Sequence, residues 1–258
     1  AVAAEYEPDR TDGSVVHSMS RGRPWAVANA ATNEFFKSLC AAQGYIFLAQ
    51  KEGLGLYRVN GDWDTNSLVG PVNPWAFGTN TGPESICTDG THLFANDDEN
   101  RTNIWSYSVI NGSTSFSLTT NWVAQLPCPA GNERIRGVTY WGGYVYVSTG
   151  CKGAGEDRSI YAINATNGAI TDLGIDVPDP GGGVMVFEVI RRGNLLIACD
   201  SDKGAGGNNL YAWDMTSPTS VVASSVITNT DFSSSPICAL GYDGSQLYVS
   251  QDKDLVAV

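Results

Sequence analysis

The stretch GGYVYVS (residues 142–148) places two glycines directly before an alternating run of tyrosine, valine and serine. Aromatic and β-branched residues that alternate with period two favour a strand, and glycines at the start of such a run mark a tight hairpin turn. An apolar run, RIRGVTYW (residues 134–141), precedes the glycines. The stretch therefore predicts a β-hairpin with its turn at Gly142.

The same pattern occurs five times, and its period decides the fold. The turn glycines are Gly44, Gly90, Gly142, Gly193 and Gly244, so the repeats begin 46, 52, 51 and 51 residues apart. A third alternating segment follows each hairpin, and a fourth follows in the first four repeats. Four strands at a period of about 50 residues are typical of one β-propeller blade. The sequence predicts an all-β fold, a single five-bladed β-propeller of four-stranded blades over residues 1–258.

The start of the chain supplies the strand that the fifth repeat lacks. The blades are predicted at about residues 33–74, 82–126, 133–177, 184–227 and 236–258. The segment SVVHSMS (residues 14–20) matches SVVASSV (residues 220–226), which is a fourth strand of the pattern. We therefore expect residues 14–20 to pair with DLVAV (residues 254–258), completing the last blade and closing the ring without a free strand edge.

Two segments also resemble a known group of propellers. IYAINATNG (residues 160–168) and LYVSQDKDLVAV (residues 247–258) are similar to blades of the pyrroloquinoline-quinone-repeat and related bacterial-type propellers. The resemblance covers all five repeats in pattern, and residues 160–168 most closely. It implies the propeller fold and carries over no cofactor or catalytic residue.

Composition excludes several classes of function. The net charge of -12 and the absence of a basic stripe argue against nucleic-acid binding. No apolar run reaches the ~20 residues of a membrane span, so membrane insertion is not expected. The chain has two histidines, His17 and His92, which rules out a His-metal cluster and argues against a Ser-His-Asp triad. A lone histidine in a strand is typically a packed or solvated side chain.

Cysteines and sequons favour an extracellular, secreted protein. Six cysteines, none in a CxxC spacing, indicate disulfides and an oxidising compartment; buried free thiols of a cytosolic protein are the alternative. From their places in the predicted blades we expect the pairs Cys40–Cys87, Cys128–Cys151 and Cys199–Cys238. Three glycosylation sequons fit a secreted glycoprotein, at Asn100, Asn111 and Asn164.

The connections between second and third strands are long and acidic, whereas the hairpin turns are short. Functional residues usually lie on such loops, so we expect ligand binding on the loop-rich face. The candidate residues are Asp97, Asp98, Glu99, Glu156, Asp157, Asp200 and Asp202. Calcium is the cation that such oxygens would hold, but no calcium-loop spacing is present. Solvated charge is the preferred interpretation, and no cofactor is predicted.

These observations favour a non-catalytic secreted or extracellular module that acts in binding, adhesion, or matrix or filament building. Its acidic loop-rich face would contact a protein or glycan partner, and assembly into an oligomer or filament is compatible with this function. The alternative is a carbohydrate-active hydrolase or lyase with two carboxylates at the channel mouth. Trp105 and Trp213 occupy similar places in third strands, which favours packing between blades over sugar stacking.

Overall fold

The computed structural model describes residues 36–43, 45–50, 56–60, 68–72, 83, 85–96, 102–111, 116–127, 134–150, 159–176, 185–201, 210–227, 237–242, 245–251 and 254–257. All regular structure in these residues is β-strand, and they include no helix. Consequently, the described part also has no helix with the length and apolar character of a membrane span.

Each sheet is an antiparallel meander of strands that follow one another in the chain. Sheet one contains β1 (Phe36–Ala42), β2 (Tyr45–Gln50), β3 (Leu56–Asn60) and β4 (Leu68–Val72). Sheet two contains β5 (Ile86–Thr88), β6 (His92–Asn96), β7 (Asn103–Asn111) and β8 (Phe116–Gln125). Sheet three contains β9 (Arg134–Trp141), β10 (Tyr144–Gly150), β11 (Ser159–Asn164) and β12 (Ile170–Asp176).

Sheet four contains β13 (Met185–Arg192), β14 (Leu195–Ser201), β15 (Leu210–Ser217) and β16 (Ser220–Ile227). Sheet five contains β17 (Ile237–Tyr242), β18 (Leu247–Gln251) and β19 (Asp254–Ala257). A single pairing, Gly150 with Met185, joins sheets three and four. The predicted all-β fold of antiparallel four-stranded sheets is confirmed. Residues 14–20, the predicted closing strand, lie outside the described residues.

The β-hairpin predicted from the sequence GGYVYVS forms with its turn at Gly142 and Gly143. Gly142 and Gly143 have φ values of 59° and 85°, and β9 and β10 pair on either side of them, with Trp141 opposite Tyr144. Two consecutive residues with positive φ are what a tight hairpin with the natural strand twist needs. Glycine adopts this conformation without the steric strain that a Cβ would add.

Both faces of sheets two, three and four are buried, because alternate side chains pack against two different neighbours. Leu93 of sheet two packs against sheet one, whereas the adjacent Phe94 packs against sheet three. In sheet three, Val147 packs towards sheet two and Tyr146 towards sheet four. A further cluster joins sheets four and five. Since burying one large apolar side chain contributes about 1.5–3 kcal/mol, four such cores hold consecutive sheets face to face in a propeller-like order.

Trp105 and Trp213 belong to these cores, as predicted. Trp105 stacks on Tyr107 with ring centroids 6.0 Å apart, and Trp213 stacks on Tyr211 at 5.8 Å. Their places are not equivalent, however. Trp105 pairs with Ala95 as Tyr211 pairs with Ala198, so Trp105 corresponds to Tyr211 and lies two residues before the counterpart of Trp213.

The predicted Cys40–Cys87 disulfide is wrong, because both residues carry free thiols. Cys40 is part of the core between sheets one and two, whereas Cys87 packs against the core between sheets two and three. The two residues have corresponding positions in their strands, so their side chains leave their own sheets in the same direction and enter different cores. Burial raises the pKa of the Cys87 thiol well above its usual value, and the nearby Cys40 and Asp89 add to this shift.

The predicted Cys199–Cys238 disulfide is contradicted as well, because Cys199 forms no disulfide in the structure, whereas Cys128–Cys151 stays a prediction. Cys128 and Cys151 lie outside the described residues, and so does the side chain of Cys238 in β17. Cys199, its expected partner, is fully buried in the core between sheets four and five.

Candidate functional site

The acidic residues predicted from the sequence follow the second strands of their sheets. Residues 97–101, 151–158 and 202–209, which contain all of them except Asp200, lie outside the described residues. Asp200 is in β14 opposite Val186, and its side chain is also outside the description. The acidic loop hypothesis therefore stays a prediction.

The strand ends that carry these loops are held by buried side-chain hydrogen bonds. Asn96 accepts from the Ser85 amide at 2.8 Å and donates to the Ile135 carbonyl of sheet three at 3.3 Å. The Thr149 hydroxyl donates to the Ser159 carbonyl at 3.1 Å and accepts from the Ser159 amide at 3.2 Å. A buried polar group without a partner is costly, so these bonds fix the bases of the loops at residues 97–101 and 151–158.

The opposite end of sheets two and three contains a groove of about 270 Å³. It lies between the hairpin turn of sheet two and two turns of sheet three. Its lining residues are Asp89, His92, Asn121, Tyr140, Gly143, Ala165 and Thr166. Asp89, His92 and Tyr140 are the titratable groups in this lining.

Asp89 closes the turn between β5 and β6 with its carboxylate. Its Oδ1 accepts from the Thr91 amide at 2.8 Å, the Thr91 hydroxyl at 2.9 Å and the His92 amide at 2.6 Å. Partial burial alone would raise the pKa of Asp89, but hydrogen bonds from the His92 ring, the two amides and the hydroxyl outweigh it and lower that pKa. The carboxylate is therefore held in its charged form by the turn it caps.

His92 is oriented by the same carboxylate. Its Nδ1 lies 2.7 Å from Asp89 Oδ2, and its side chain is 37% exposed, against 14% for Asp89. Because the carboxylate accepts a hydrogen bond from Nδ1, that nitrogen carries a proton, and Nε2 is the ring nitrogen left for a ligand. Nε2 makes no hydrogen bond with a described residue. The groove is thus lined by a fixed imidazole with one nitrogen available to a ligand.

The walls of the groove are held equally firmly. Tyr140 stacks on Phe94 with ring centroids 5.9 Å apart and planes inclined by 8°. Asn121 Oδ1 accepts from the Ser108 hydroxyl at 2.9 Å. Trp122 Nε1 donates to the Ala165 carbonyl at 2.9 Å, which fixes the turn of sheet three against sheet two.

The predicted sequons are only partly described. Asn100 lies outside the described residues, and so does the side chain of Asn111 at the end of β7. Asn164 ends β11, and its Oδ1 accepts from the Thr166 amide at 2.9 Å. No cluster of three or more His, Cys, Asp or Glu side chains occurs among the described residues. Glycosylation at the three positions stays a prediction.

Sequence reasoning treated His92 as a packed or solvated strand residue and missed its pairing with Asp89. The signal was the tetrad DGTH (residues 89–92), in which an aspartate opens a glycine turn three residues before a histidine. Aspartate in this place bonds to backbone two residues on. Tyr140 and Thr166 could not be found in this way, because they come from another sheet.

Comparison with known proteins supports the fold and assigns no family. No protein-family model matches the chain, and no curated protein sequence matches it. A solved protein from Lactobacillus plantarum is 14% identical, with a TM-score of 0.57 and coverage of 86% of this chain and 70% of that one. A puromycin hydrolase is 13% identical, with a TM-score of 0.56 and coverage of 93% and 40%.

A europium-containing methanol dehydrogenase is 15% identical, with a TM-score of 0.39 and coverage of 57% of this chain and 25% of that one. The chain thus spans less than half of the hydrolase and a quarter of the dehydrogenase. The likeness to the hydrolase and to the Lactobacillus protein is one of fold alone, and it agrees with the propeller predicted from the repeats.

Proposed function

We propose that this chain is a non-catalytic extracellular binding module, a five-bladed propeller whose acidic, loop-rich face contacts a protein or glycan partner. The five hairpins of the sequence and the cores between consecutive sheets support this architecture. Residues 14–20 close the ring by pairing with the last strand of sheet five.

The observation that carries the proposal is the contrast between fixed strand ends and long loops on one face. The hairpin turns at the other end are as short as Gly142–Gly143, while the loop-rich face carries residues 151–158, 177–184 and 202–209 between described strands. Buried bonds of Asn96 and Thr149 fix the bases of two loops on this face. A rigid scaffold with variable loops lowers the entropy lost when a partner binds.

The negative charge of the loop-rich face indicates a partner with basic groups. The net charge of the chain is -12, and acidic residues are concentrated in the loops of this face. A surface of one sign attracts an oppositely charged partner over a distance and raises the rate of association. A basic protein surface, or a glycan displayed among basic groups, fits this face.

The test compares two charge-removing variants of the full chain. The loop variant carries Asp97→Asn, Asp98→Asn and Glu99→Gln; the control carries Asp214→Asn, which removes an exposed charge near the turn end of sheet four. Binding is measured on arrays of glycans and of basic extracellular proteins at low and physiological salt. We expect salt-sensitive binding that the loop variant weakens at least tenfold and the control retains.

Two outcomes would contradict the proposal. One is that the chain binds nothing on either array, and the other is that both variants bind as the wild type does. A localisation experiment with the tagged natural protein adds an independent check, since retention inside the cell would exclude the extracellular assignment.

A further inference from the structure

We propose that the groove at the turn end of sheets two and three is a second binding site, for one ring of an uncharged sugar. The loop-rich face follows β6 at Asn96, whereas the groove is built around the turn that precedes β6 at His92. The two surfaces therefore lie at opposite ends of the strand, and this site goes beyond the proposed function.

The charge and the hydrogen bonds of Asp89 make the groove a poor site for a charged ligand. Asp89 already accepts four hydrogen bonds from its own turn, so it has little capacity left to coordinate a cation. An anion would approach this carboxylate at close range and would be repelled. The lining, all of which is described, contains no lysine or arginine. An uncharged polar ligand avoids both penalties.

The groups that remain suit hydroxyls. Nε2 of His92 can bond to a ligand hydroxyl, as an acceptor or, with a proton on it, as a donor. The Asn121 amide keeps one N–H and one lone pair beyond its bonds with Ser106 and Ser108, and the Thr166 hydroxyl can donate or accept. Tyr140 adds an aromatic wall with a polar tip, which suits a ligand that is apolar on one face and polar at its rim. A sugar ring has this distribution of groups.

The volume of the groove and the fixed positions of its polar groups also suit a single sugar ring. The groove is slightly smaller than the ~300 Å³ at which pockets for drug-sized ligands begin, so it accommodates a single ring. Its polar groups are fixed before a ligand arrives, by Asp89 on His92, Ser108 on Asn121 and Trp122 on the turn at Ala165. Preorganisation reduces the entropy cost of binding, and a few hydrogen bonds at an open site give a dissociation constant on the order of millimolar.

The test uses NMR titration of the two histidine rings in the full chain. The probes are the methyl glycosides of glucose, galactose and mannose, with inorganic phosphate and methylammonium as charged probes. We expect at least one glycoside to shift the His92 ring signals saturably and to leave those of His17 unchanged. Neither charged probe should shift the His92 signals saturably.

Matched variants separate the groove from the hairpin. Gln246 has the place in DGSQL (residues 243–247) that His92 has in DGTHL (residues 89–93), so Gln246→Ala is the control for His92→Ala. Saturation-transfer signals from the glycoside should fall at least tenfold in His92→Ala and stay in Gln246→Ala. Asn121→Ala, at an exposed position, provides the same test if His92→Ala does not fold.

The proposal is overturned if no glycoside shifts His92, if only a charged probe does, or if His92→Ala and Asn121→Ala bind as well as Gln246→Ala. These results are independent of the loop face. A chain that binds its partner through the acidic loops and ignores all glycosides would refute this site and leave the proposed function intact.

Discussion

Gly168 is the point at which a turn of sheet three meets the indole of sheet two. Its φ is 75°, and a Cβ placed there would lie 3.0 Å from Trp122 Cδ2 and Cε3. The same indole donates to the Ala165 carbonyl. One glycine therefore allows both a left-handed turn residue and close contact with the ring, which supports the groove wall formed by Ala165 and Thr166.

Replacing Gly168 with Ala should destabilise the protein by more than the equivalent change at Gly193. Both glycines have positive φ, which costs a residue with a Cβ about 1 kcal/mol. Only Gly168 adds a clash, since nothing lies within 4 Å of a Cβ at Gly193. We expect a further loss of about 1–3 kcal/mol at Gly168, measured by urea unfolding. Equal losses in the two variants would show that Trp122 moves aside freely.

Asp89 makes a contribution to stability that depends on pH. Its pKa is lowered in the folded state, so its stabilising effect is complete above the unfolded-state value of about 3.9 and is lost as pH falls through the lower folded-state value. Asp89→Asn should therefore destabilise the protein at neutral pH, while wild type and variant converge as the pH falls below the folded-state pKa of Asp89. Urea unfolding at several pH values measures both. A difference that does not change with pH would contradict the assignment.

The first strands of four sheets share a bulge at the end that is distant from their hairpin turns. In the first, third, fourth and fifth sheets the pairing of the first two strands skips one residue of the first strand. The skipped residues are Lys37, Arg136, Phe187 and Cys238. A bulge bends its strand and increases the local twist. Its recurrence means that the loop-rich ends of these four first strands are bent in the same way.

Sheets three and four are joined by a buried polar link as well as by their apolar core. The Tyr146 hydroxyl of β10 donates to the Pro218 carbonyl at 3.0 Å and accepts from Nη1 of Arg191 in β13. Arg191 is 8% exposed, and its guanidinium carbon lies 5.2 Å from the centre of the Tyr146 ring. Burial raises the pKa of Tyr146 above its usual value, although Arg191 opposes this shift.

Tyr146→Phe should cost about 1–3 kcal/mol, because it leaves a buried guanidinium group and a carbonyl without their shared partner. Tyr144→Phe is the control, since Tyr144 packs against the same core and its hydroxyl bonds to no described residue. Thermal unfolding of both variants measures the difference. Equal melting temperatures would mean that the Arg191–Tyr146–Pro218 link contributes nothing to the contact between the sheets.

At the scale of the whole molecule, the chain is a series of sheets in which each packs on the next. In this order, sheet five is the last sheet of the series. Sheet five pairs only three strands among the described residues, and β19 has no partner there on its outer side. An unpaired strand edge invites aggregation. The proposed pairing of residues 14–20 with this edge removes the liability.

Two truncations test ring closure. Deleting residues 1–20 should lower the melting temperature by several degrees and promote aggregation, because the outer edge of sheet five loses its strand. Deleting residues 1–13 keeps the segment SVVHSMS and should leave both properties unchanged. Scanning calorimetry and light scattering measure the two effects. If the shorter and the longer deletion behave alike, residues 14–20 do not close the ring.

The strands, their antiparallel pairing and the tight glycine turns could be predicted from the amino-acid sequence. These features depend on local rules, the period-two alternation of a pleated strand and the positive φ that a hairpin demands, so they can be read along the chain. The sequence also predicted that Trp105 and Trp213 belong to cores between sheets, although their exact equivalence required the strand register. The carboxylate of Asp89 that holds His92 is also close in sequence, within DGTH (residues 89–92). Its role in a groove could not be predicted, because the other groove residues come from distant segments.

The packing of the sheets on one another determines which distant side chains come into contact. Cys40 and Cys87 have matching sequence positions, yet they enter different cores because sheet two packs on sheet one with one face and on sheet three with the other. Tyr140 and Thr166 complete the groove around His92 because sheet three packs on Phe94 and Trp122 of sheet two. Contacts of this kind depend on the angle and distance between sheets, which the period of a single strand does not encode.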